Sequence, residues 1–475
     1  MSAKDDALVT SEFERALGEI LARVSASPAN PVQNPAIAIA YSGGLDSSAL
    51  LRLAKSYADA HGTALFAFHI HHGISPNADA WAAFCEAQCA ALGVPFAVRR
   101  IRLDGQQKSG TEEAARIARY AALGALCRQY QAPVLLTAHH QDDQAETVLL
   151  QLLRGSGVAG LSGMDVANVA PDLLGDSNLL MGRPLLALAR EDLAQLVAEK
   201  GIATIEDESN TDPRFARNAL RHEVMPAIAR LFPGFAQRFA RSAQHAQSAQ
   251  RLLIDLAAQD LQSCLVGQCI DLAQLRLLSS DRIDNLLRYW FGSRRVRMPS
   301  TAWLAEMRSQ LLEAKPDAQL CVTHADCHIR RHRDRVYLTP KDDIDPQAVL
   351  PRAFRWQGET VIDFPEFGGS LHFLPAAEGM ASAWLKAQDL VLRYRSGGER
   401  LKLAPNRHTR SLKHHCQALD IPAWERERLL ILAAGKEILY VSGIGMDCQH
   451  LGSEGGSRLR LAWQPEPLQD IKNAG

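Results

Sequence analysis

The most constraining feature of this sequence is an alternation of short apolar runs with helical patterns through its first half. The apolar, β-type runs lie at residues 36–41, 64–71, 96–101 and 133–139. Helical patterns lie between them at residues 47–60, 79–92 and 111–130. This alternation predicts an α/β domain built on a doubly wound parallel sheet with helices on both faces. Ligands of such sheets bind beyond the carboxyl ends of the strands, where the strand order reverses.

The first apolar run is followed by a small glycine-rich turn, SGGLDS at residues 42–47, and then by a helical pattern. Glycines let backbone NH groups approach a ligand, serines add hydroxyl donors, and a helix N-terminus favours an anion. The turn therefore predicts a phosphate-binding loop, although it matches neither GxxxxGK[ST] nor GxGxxG. The structural alternative is a tight strand-to-helix connection in which Asp46 or Ser47 caps the helix.

A second polar segment follows the apolar run at residues 133–139. An apolar stripe at helical spacing predicts a helix that begins near Asp142 and carries Asp143 and Glu146 in its first turn. A carboxylate there could bind Mg²⁺ or accept a proton from an attacking amine, whereas a capping box of Asp143 and Glu146 is the structural alternative. We predict a functional role for Asp142 and Asp143. For His139 and His140, ligand contact and hydrogen-bonded support both stay open.

Six ordered motifs carry a resemblance to a known family. They are SGGLDS at 42–47, FHIHHGIS at 68–75, AARIARYAAL at 114–123, HHQDDQAET with RGSGVAGLSGM within 139–164, RPLL at 183–186, and EDESNTDPRFARNALR at 206–221. The first resembles the pyrophosphate-binding loop of the PP-loop ATP pyrophosphatase superfamily. The whole set is similar to the tRNA(Ile)-lysidine synthetase family of that superfamily.

This resemblance implies a Rossmann-like PP-loop domain and a two-step ligation that uses ATP and Mg²⁺. The carbonyl oxygen at ring position two of the wobble cytidine, in an isoleucine tRNA with a CAU anticodon, would attack the α-phosphate of ATP and release pyrophosphate. The ε-amine of free L-lysine would then displace AMP and leave lysidine, so that the tRNA reads AUA instead of AUG.

The resemblance also implies roles for particular residues. Those expected to bind ATP are Ser42, Gly43, Gly44, Leu45, Asp46, Ser47 and His139, with Asp46 either a Mg²⁺ ligand or a backbone cap. Asp142 or Asp143 is expected to hold or deprotonate the lysine ammonium. Those expected to contact substrate or tRNA are Glu146, Arg217, Arg221, Arg407 and Lys413.

Two arginine groups have structural alternatives. Arg116 and Arg119 lie on one predicted helix, where they could hold phosphate or pair with the nearby glutamates 112 and 113. We predict a catalytic role for Arg116. Arg217 and Arg221 belong, with Arg214, to a basic helical face that is either solvated or in contact with phosphate or tRNA; we predict the contact.

The second half of the chain predicts a mainly helical domain and then a small α+β domain. Basic clusters at 288–297 and 330–335 suit phosphate contacts and base stacking, or simply decorate a surface. Residues 392–415 carry seven Lys or Arg against one Glu. The expected domains are a catalytic domain at 1–230, a helical tRNA-binding domain at 231–340, a linker and unplaced segment at 341–387, and a basic tRNA-binding domain at 388–475.

The composition of the chain narrows the classes of protein to which it can belong. The net charge of −1 means that tRNA must be held by segregated basic patches. The nine cysteines include no CxxC pair, which disfavours both a disulfide framework and a tRNA thiolase. The intact SGGLDS and HHQDD motifs disfavour a non-catalytic tRNA-binding protein. The acidic N-terminus and the lack of a long apolar run predict a cytoplasmic protein without a membrane span. The sequence leaves the oligomeric state open, with a homodimer as one alternative.

Overall fold

A computed structural model describes residues 6–25, 34–73, 75–101, 111–206, 216–315, 318, 320–341, 346, 348–452 and 456–466. The chain divides into two compact units, Met1–Leu252 and Leu253–Gly475. Among the described helices, none has both the length and the apolarity to cross a membrane.

The first unit contains a six-stranded sheet of order β3-β2-β1-β4-β6-β5. The strands are β1 Ile37–Ala40, β2 Leu65–His71, β3 Phe96–Arg100, β4 Val134–Leu136, β5 Ala167–Val169 and β6 Leu180–Gly182. All neighbours pair in parallel except β5, which is an antiparallel edge strand on β6. The chain builds outward from β1 through β2 to β3 and then returns to add β4 on the other side of β1. The strand order therefore reverses between β1 and β4.

Helices cover both faces of this sheet, as the alternation predicts. The helices of this part of the chain are α1 Asp6–Ser25, α2 Leu45–His61, α3 Ala78–Ala91, α4 Thr111–Gln129, α5 Gln141–Leu153, α6 Val158–Leu161, α7 Pro171–Leu174, α8 Arg190–Glu199, α9 Ala216–Ala219, α10 Met225–Leu231 and α11 Phe235–Cys264, with a π-helical turn Leu220–Val224 between α9 and α10. Residues of α10 and α11 pack against α5. Successive β1 residues point to opposite faces: Ile37 and Ile39 join one apolar cluster and Ala38 the other. Two separate cores thus hold the carboxyl edge of the sheet in place.

The second unit begins with a helical region and an antiparallel sheet of order β7-β8-β11-β10-β9. Its elements are β7 Leu265–Val266, β8 Cys269–Asp271, α12 Leu272–Leu275, α13 Ser280–Ser293, α14 Thr301–Glu313, β9 Cys321–Thr323, β10 Cys327–His332 and β11 Arg335–Pro340. Trp290 and Phe291 of α13 are fully buried in its core. The aromatic residue at 290 therefore packs inside this domain and is not presented to unpaired bases.

The rest of the second unit is mostly β-structure. Its elements are β12 Arg352–Phe354, β13 Val361–Phe364, β14 Gly369–Ala381, α15 Ser382–Lys386, β15 Leu390–Tyr394, β16 Arg400–Leu401, β17 Arg410–Ser411, α16 Leu412–Ala418, α17 Ala423–Arg426, β18 Leu430–Ala434, β19 Glu437–Val441, β20 Gly445–Met446 and β21 Arg458–Pro465. The sheets have the orders β12-β15-β18-β19-β20, β13-β14-β21 and β16-β17. Residues 355–387, which carry no recognisable motif, supply β13, β14 and α15.

Candidate functional site

The two polar segments singled out in the sequence lie side by side at the carboxyl edge of the sheet. β1 pairs in parallel with β4, with Ile37 opposite Val134 and Ile39 opposite Leu136. The SGGLDS loop (residues 42–47) follows β1, and residues 137–140 follow β4. The strand order reverses between these two strands, so the pair of loops occupies the position where ligands bind in such sheets.

The SGGLDS loop is tightly packed and leaves the start of α2 without a side-chain cap. Gly43 has φ of +83°, and a Cβ at this position would lie 2.8 Å from Ile205 Cδ1 and 2.9 Å from Cys85 Sγ. The Ser47 hydroxyl donates to the Gly44 carbonyl at 3.0 Å and accepts from the Ser42 amide at 3.3 Å. Since Gly44 is the N-cap, no described side chain caps α2, and the expectation that Asp46 or Ser47 caps it is wrong. Asp46 and Ser47 are the second and third residues of the helix, and its N-terminus is left open to an anion.

Asp46 faces the second loop. Its Oδ2 lies 3.7 Å from His140 Nε2, and its Oδ1 lies 3.9 Å from Arg190 Nε. Oδ1 is buried and has no hydrogen-bond partner among the described residues. An ionised, under-coordinated carboxylate oxygen suits Mg²⁺, which keeps several waters and needs only one or two carboxylates beside substrate phosphates. Among the described residues there is no cluster of three or more metal-binding side chains.

His140 joins the two loops. It is the N-cap of α5, where its Nδ1 accepts from the Asp143 amide at 3.4 Å while Asp143 Oδ2 accepts from the His140 amide at 3.1 Å. The capping box therefore pairs His140 with Asp143, and the structural alternative that paired Asp143 with Glu146 is wrong. Burial opposes the charged imidazole, but Asp46, Asp143 and Asp142 outweigh it and raise the pKa of His140. His140 is almost completely buried.

His139 has the opposite character. It is half-buried and its Nδ1 lies 2.8 Å from Thr137 Oγ1. Burial lowers the pKa of His139 to about 3; Asp143 opposes this shift, while Arg183 and Arg217 add to it. His139 is therefore a neutral imidazole with a fixed orientation at the strand end.

The carboxylates of α5 have different partners. Asp142 Oδ2 accepts from the amide of Arg190, the first residue of α8, at 2.9 Å, and a third of its side chain stays exposed. For Asp143, burial favours the neutral form, but His140 and Arg217 hold the pKa of the carboxyl below its usual value. Asp142 is thus the more accessible of the two acids predicted to be catalytic.

Glu146 is almost completely buried, with 2% of its side chain exposed, and it binds two arginines. Arg217 Nε donates to Glu146 Oε2 at 2.9 Å, and Arg221 Nε donates to Glu146 Oε1 at 2.6 Å. Arg221 Nη2 also donates to Asp143 Oδ1 at 2.9 Å. Burial opposes the charged guanidinium, but the hydrogen bond that Arg221 donates to Glu146 raises the pKa of Arg221. A buried carboxylate requires such partners, so the predicted basic face turns inward, with a third of each guanidinium side chain exposed.

Arg116 and Arg119 lie on the exposed surface of α4 beside the buried ring of Tyr120. Their guanidinium carbons lie 5.6 Å and 5.3 Å from the centre of that ring. The alternative pairing with residues 112 and 113 cannot be followed, because their side chains lie outside the described residues. Arg214 also lies outside the described residues. Arg119 also contributes to lowering the pKa of His139, which places it within electrostatic reach of the strand end.

Arg183 and Arg190 are two arginines of this site that sequence reasoning did not select. Arg183 is buried after β6 and donates to the carbonyl of Asp165 and to Asn168 Oδ1, each at 2.7 Å. Arg190 is exposed at the start of α8. The only sequence signal for Arg183 was its place in the RPLL motif, and none singled out Arg190.

A cavity of about 240 Å³ opens next to α5. It has acidic, basic and apolar parts, and its lining consists of Asp142, Glu146, Arg190, Arg221, Met225, Pro226, Ala229 and Phe235. A small ligand that carries both charges and an alkyl chain would match this lining.

The basic residues of the second unit divide into internal and exposed groups. Arg331 is buried and donates to the carbonyls of Leu311 and Ala314, and His332 Nε2 lies 2.9 Å from Asp420 Oδ1. Part of the 330–335 cluster is therefore used inside the unit. Arg407, between β16 and β17, and Lys413, on α16, are exposed.

Three family models match the chain. They are the PP-loop domain over residues 10–228, the TilS substrate binding domain over 270–337, and the TilS substrate C-terminal domain over 390–463. Their order is that of the catalytic, middle and C-terminal regions described above.

Curated relatives match nearly the whole chain. The tRNA(Ile)-lysidine synthase of Ralstonia nicotianae is 40% identical and covers 93% of this chain and 95% of its own length. That of Burkholderia pseudomallei is 41% identical, with 91% and 94% covered, and that of Nitrosomonas europaea is 34% identical, with 92% and 93% covered. Because identity at this level extends over all three regions, the chain belongs to the tRNA(Ile)-lysidine synthase family.

Proposed function

We propose that the protein is an ATP-dependent carbon–nitrogen ligase that joins free L-lysine to the wobble cytidine of the isoleucine tRNA with a CAU anticodon. The products are lysidine, AMP and pyrophosphate, and the modified tRNA reads AUA in place of AUG. The observation that carries this proposal is the meeting of an uncapped SGGLDS loop with the acidic start of α5 at the point where strand order reverses. One loop suits pyrophosphate and the other an amine.

In the first step, the carbonyl oxygen of the cytidine forms a bond to the α-phosphorus of ATP, and the bond to pyrophosphate breaks. The NH groups of the SGGLDS loop and the N-terminus of α2 bind the departing pyrophosphate, with the Ser42 and Ser47 hydroxyls beside them. Asp46 would hold Mg²⁺, which offsets the negative charge of the phosphates when bound. Neutral His139 at the adjacent strand end can contact the nucleotide without adding charge.

In the second step, the ε-amine of lysine forms a bond to the cytidine ring carbon and loses a proton, and AMP leaves. The cavity beside α5 suits free lysine, because Met225 and Phe235 can cover the alkyl chain while Arg190 offers a partner for the α-carboxylate. Asp142 is our candidate for the proton acceptor, because Asp143 and Glu146 are already paired with Arg221.

The tRNA requires a longer basic surface than this crevice. The cytidine must leave its stack to reach the SGGLDS loop, as bases do in other enzymes that modify them. Arg116 on α4 is our candidate for a catalytic arginine that binds phosphate, and the exposed parts of Arg217 and Arg221 are candidates for contact with the tRNA. Arg407 and Lys413 lie in the basic segment of the C-terminal region, where charge alone predicts salt-sensitive binding of a polyanion.

The decisive experiment mixes the protein with ATP, labelled lysine and the CAU isoleucine tRNA, beside methionine tRNA with the same anticodon. ATP-dependent labelling of the isoleucine tRNA alone is expected. Absence of label would sink the proposal, and equal labelling would keep the chemistry but remove the selectivity.

A matched pair of variants separates a chemical role of Asp142 from a general effect. Asp142→Asn should still release pyrophosphate but should transfer lysine slowly, so that adenylated tRNA accumulates. Glu86→Gln removes an exposed carboxylate from α3 of the same unit and should behave as the wild type. Equal rates in both variants would exclude Asp142 as the proton acceptor.

We also place the reaction in the cytoplasm and allow a homodimer. Cell fractionation and sedimentation of the purified protein test these two predictions.

A further inference from the structure

The most basic segment of the chain, residues 392–415, is organised around its one acidic residue. Glu399 is buried, with 5% of its side chain exposed. Its carboxylate accepts hydrogen bonds from the amides of Ser396 at 2.7 Å and Gly397 at 2.9 Å, and from Arg393 Nη1 at 3.1 Å. The Arg395 guanidinium lies 3.7 Å away. One carboxylate thus binds the backbone on one side and two arginines on the other.

Glu399 binds the backbone of a glycine-rich turn, and the conformation of this turn depends on that contact. Gly397 and Gly398 have φ of +99° and +85°, and both are exposed, with no heavy atom within 4 Å of an added Cβ. An added Cβ at either glycine would meet no described atom, and the turn is held by the hydrogen bonds that Glu399 accepts from it. Glycine loses more conformational entropy on folding than any other residue. The hydrogen bonds to Glu399 are therefore needed to keep the turn ordered.

The same residue ties the turn to the exposed cations. Arg400 follows Glu399 directly and starts β16, which pairs with β17 so that Arg400 lies opposite Ser411. The backbone carbonyl of Glu399 accepts from the amide of Leu412, the first residue of α16. Arg400, Arg410 and Lys413 are exposed at these places, and we call these three residues the basic surface.

We propose that Glu399 is a positioning residue for tRNA binding, which folds the turn at 396–398 and orders the basic surface for tRNA phosphates. The inference rests on the proposed function and adds to it a residue that does not itself touch tRNA. Burial opposes the ionised form of Glu399, but the hydrogen bonds from the Ser396 amide and Arg393 keep the pKa of its carboxyl below its usual value. The negative charge is therefore present when tRNA binds.

If Glu399 has this role, its replacement should change the affinity for tRNA in the direction opposite to that expected from charge alone. Removing a negative charge from a basic region should strengthen binding of a polyanion if charge alone matters. Glu399→Gln should instead weaken it, because the amide NH₂ of glutamine cannot accept from both backbone amides and leaves the turn unfastened. Glu427→Gln is the matched control: it removes an exposed carboxylate from the same region and changes the net charge by the same amount.

The measurement is lysine transfer by the full-length protein at several salt concentrations. For Glu399→Gln we expect the KM for tRNA to rise about tenfold, with kcat and the KM for ATP and lysine unchanged, and the salt dependence of binding to fall by about one phosphate contact. Glu427→Gln should bind tRNA as tightly as the wild type or more tightly. A Glu399→Gln variant that binds as tightly as Glu427→Gln overturns the inference.

A second pair of variants changes no charge and keeps the test decisive if Glu399→Gln fails to fold. Gly398→Ala places a Cβ on the clasped turn at φ of +85°, and Gly435→Ala does so in the β18–β19 turn at φ of +57°; neither Cβ would meet an atom within 4 Å. Only Gly398→Ala should raise the KM for tRNA, and equal KM values in the two variants overturn the inference. If wild-type protein neither binds nor labels tRNA, the proposed function itself fails.

Discussion

Replacing Gly43 with alanine should damage the SGGLDS loop in two ways that can be separated. At φ of +83°, an L-residue costs roughly 1–2 kcal/mol of backbone strain. The new Cβ would also lie within 3 Å of both Ile205 Cδ1 and Cys85 Sγ, and overpacking of this kind costs about 1–3 kcal/mol. The Ile205 amide donates to the Gly43 carbonyl at 3.0 Å and so holds the two main chains together, which leaves only side-chain rotation to relieve the contact. We therefore expect Gly43→Ala to lose about 2–5 kcal/mol of unfolding free energy.

Gly62→Ala is the control that isolates the strain. Gly62 ends α2 at φ of +64°, and an added Cβ there meets no atom within 4 Å. This variant should lose only the strain, about 1–2 kcal/mol. The free energies are measured by urea unfolding. Because a ligand stabilises the unit that binds it, the transition that shifts when ATP is added is the one that reports on this unit. Gly43→Ala should also raise the KM for ATP, because the displaced loop no longer fits pyrophosphate, whereas Gly62→Ala should not.

The reasoning is refuted if Gly43→Ala and Gly62→Ala lose the same free energy and keep the same KM for ATP. That result would mean that Ile205 and Cys85 give way without cost, and that the close packing does not hold the loop in its binding shape.

Three further predictions concern the charged groups. Asp46→Ala and Asp46→Asn should both abolish pyrophosphate release across a Mg²⁺ titration; activity in the asparagine variant would contradict metal binding by Asp46. Glu146→Gln and Arg221→Met should show a coupling free energy of about 1–3 kcal/mol in a double-mutant cycle of urea unfolding, and additive losses would contradict the pairing. Because burial holds the pKa of His139 at about 3, below the value near 6.5 of an unfolded chain, protonation favours unfolding, and His139 should lower stability as pH falls from about 6.5 towards 3. NMR should find its ring neutral down to about pH 4, and a ring that titrates near pH 6 would contradict this prediction.

Much of the fold followed from local patterns. Apolar runs of strand length, separated by helical stripes, predicted the parallel sheet and helices on both faces, because the period of apolar residues records which sides of an element are buried. Cys85 and Cys89 also behave as the small buried residues that their helical setting indicates, and burial raises the pKa of both thiols to about 12. The start of α2 was less predictable. Glycine as an uncapped N-cap is less common than the aspartate or serine next to it.

The partners of charged residues were not predictable from spacing. Glu146 looks like part of a capping box, yet it lies 71 and 75 residues from the arginines that it binds. Arg331 belongs to a run that reads as a solvated basic cluster, yet it is the buried member. Burial of a charge depends on chain segments that approach from elsewhere, and no local period records them.

The sequence by itself determined the parallel sheet, the phosphate loop after its first strand and the family to which the chain belongs, because each depends on residues close together in the chain. Only the tertiary structure decided which charges work together. It paired Glu146 with Arg217 and Arg221, left Asp142 accessible, and enclosed Glu399 within a basic segment. The physical reason is that the energy of a charge is set by desolvation and by its neighbours in space, which exist only once the chain has folded.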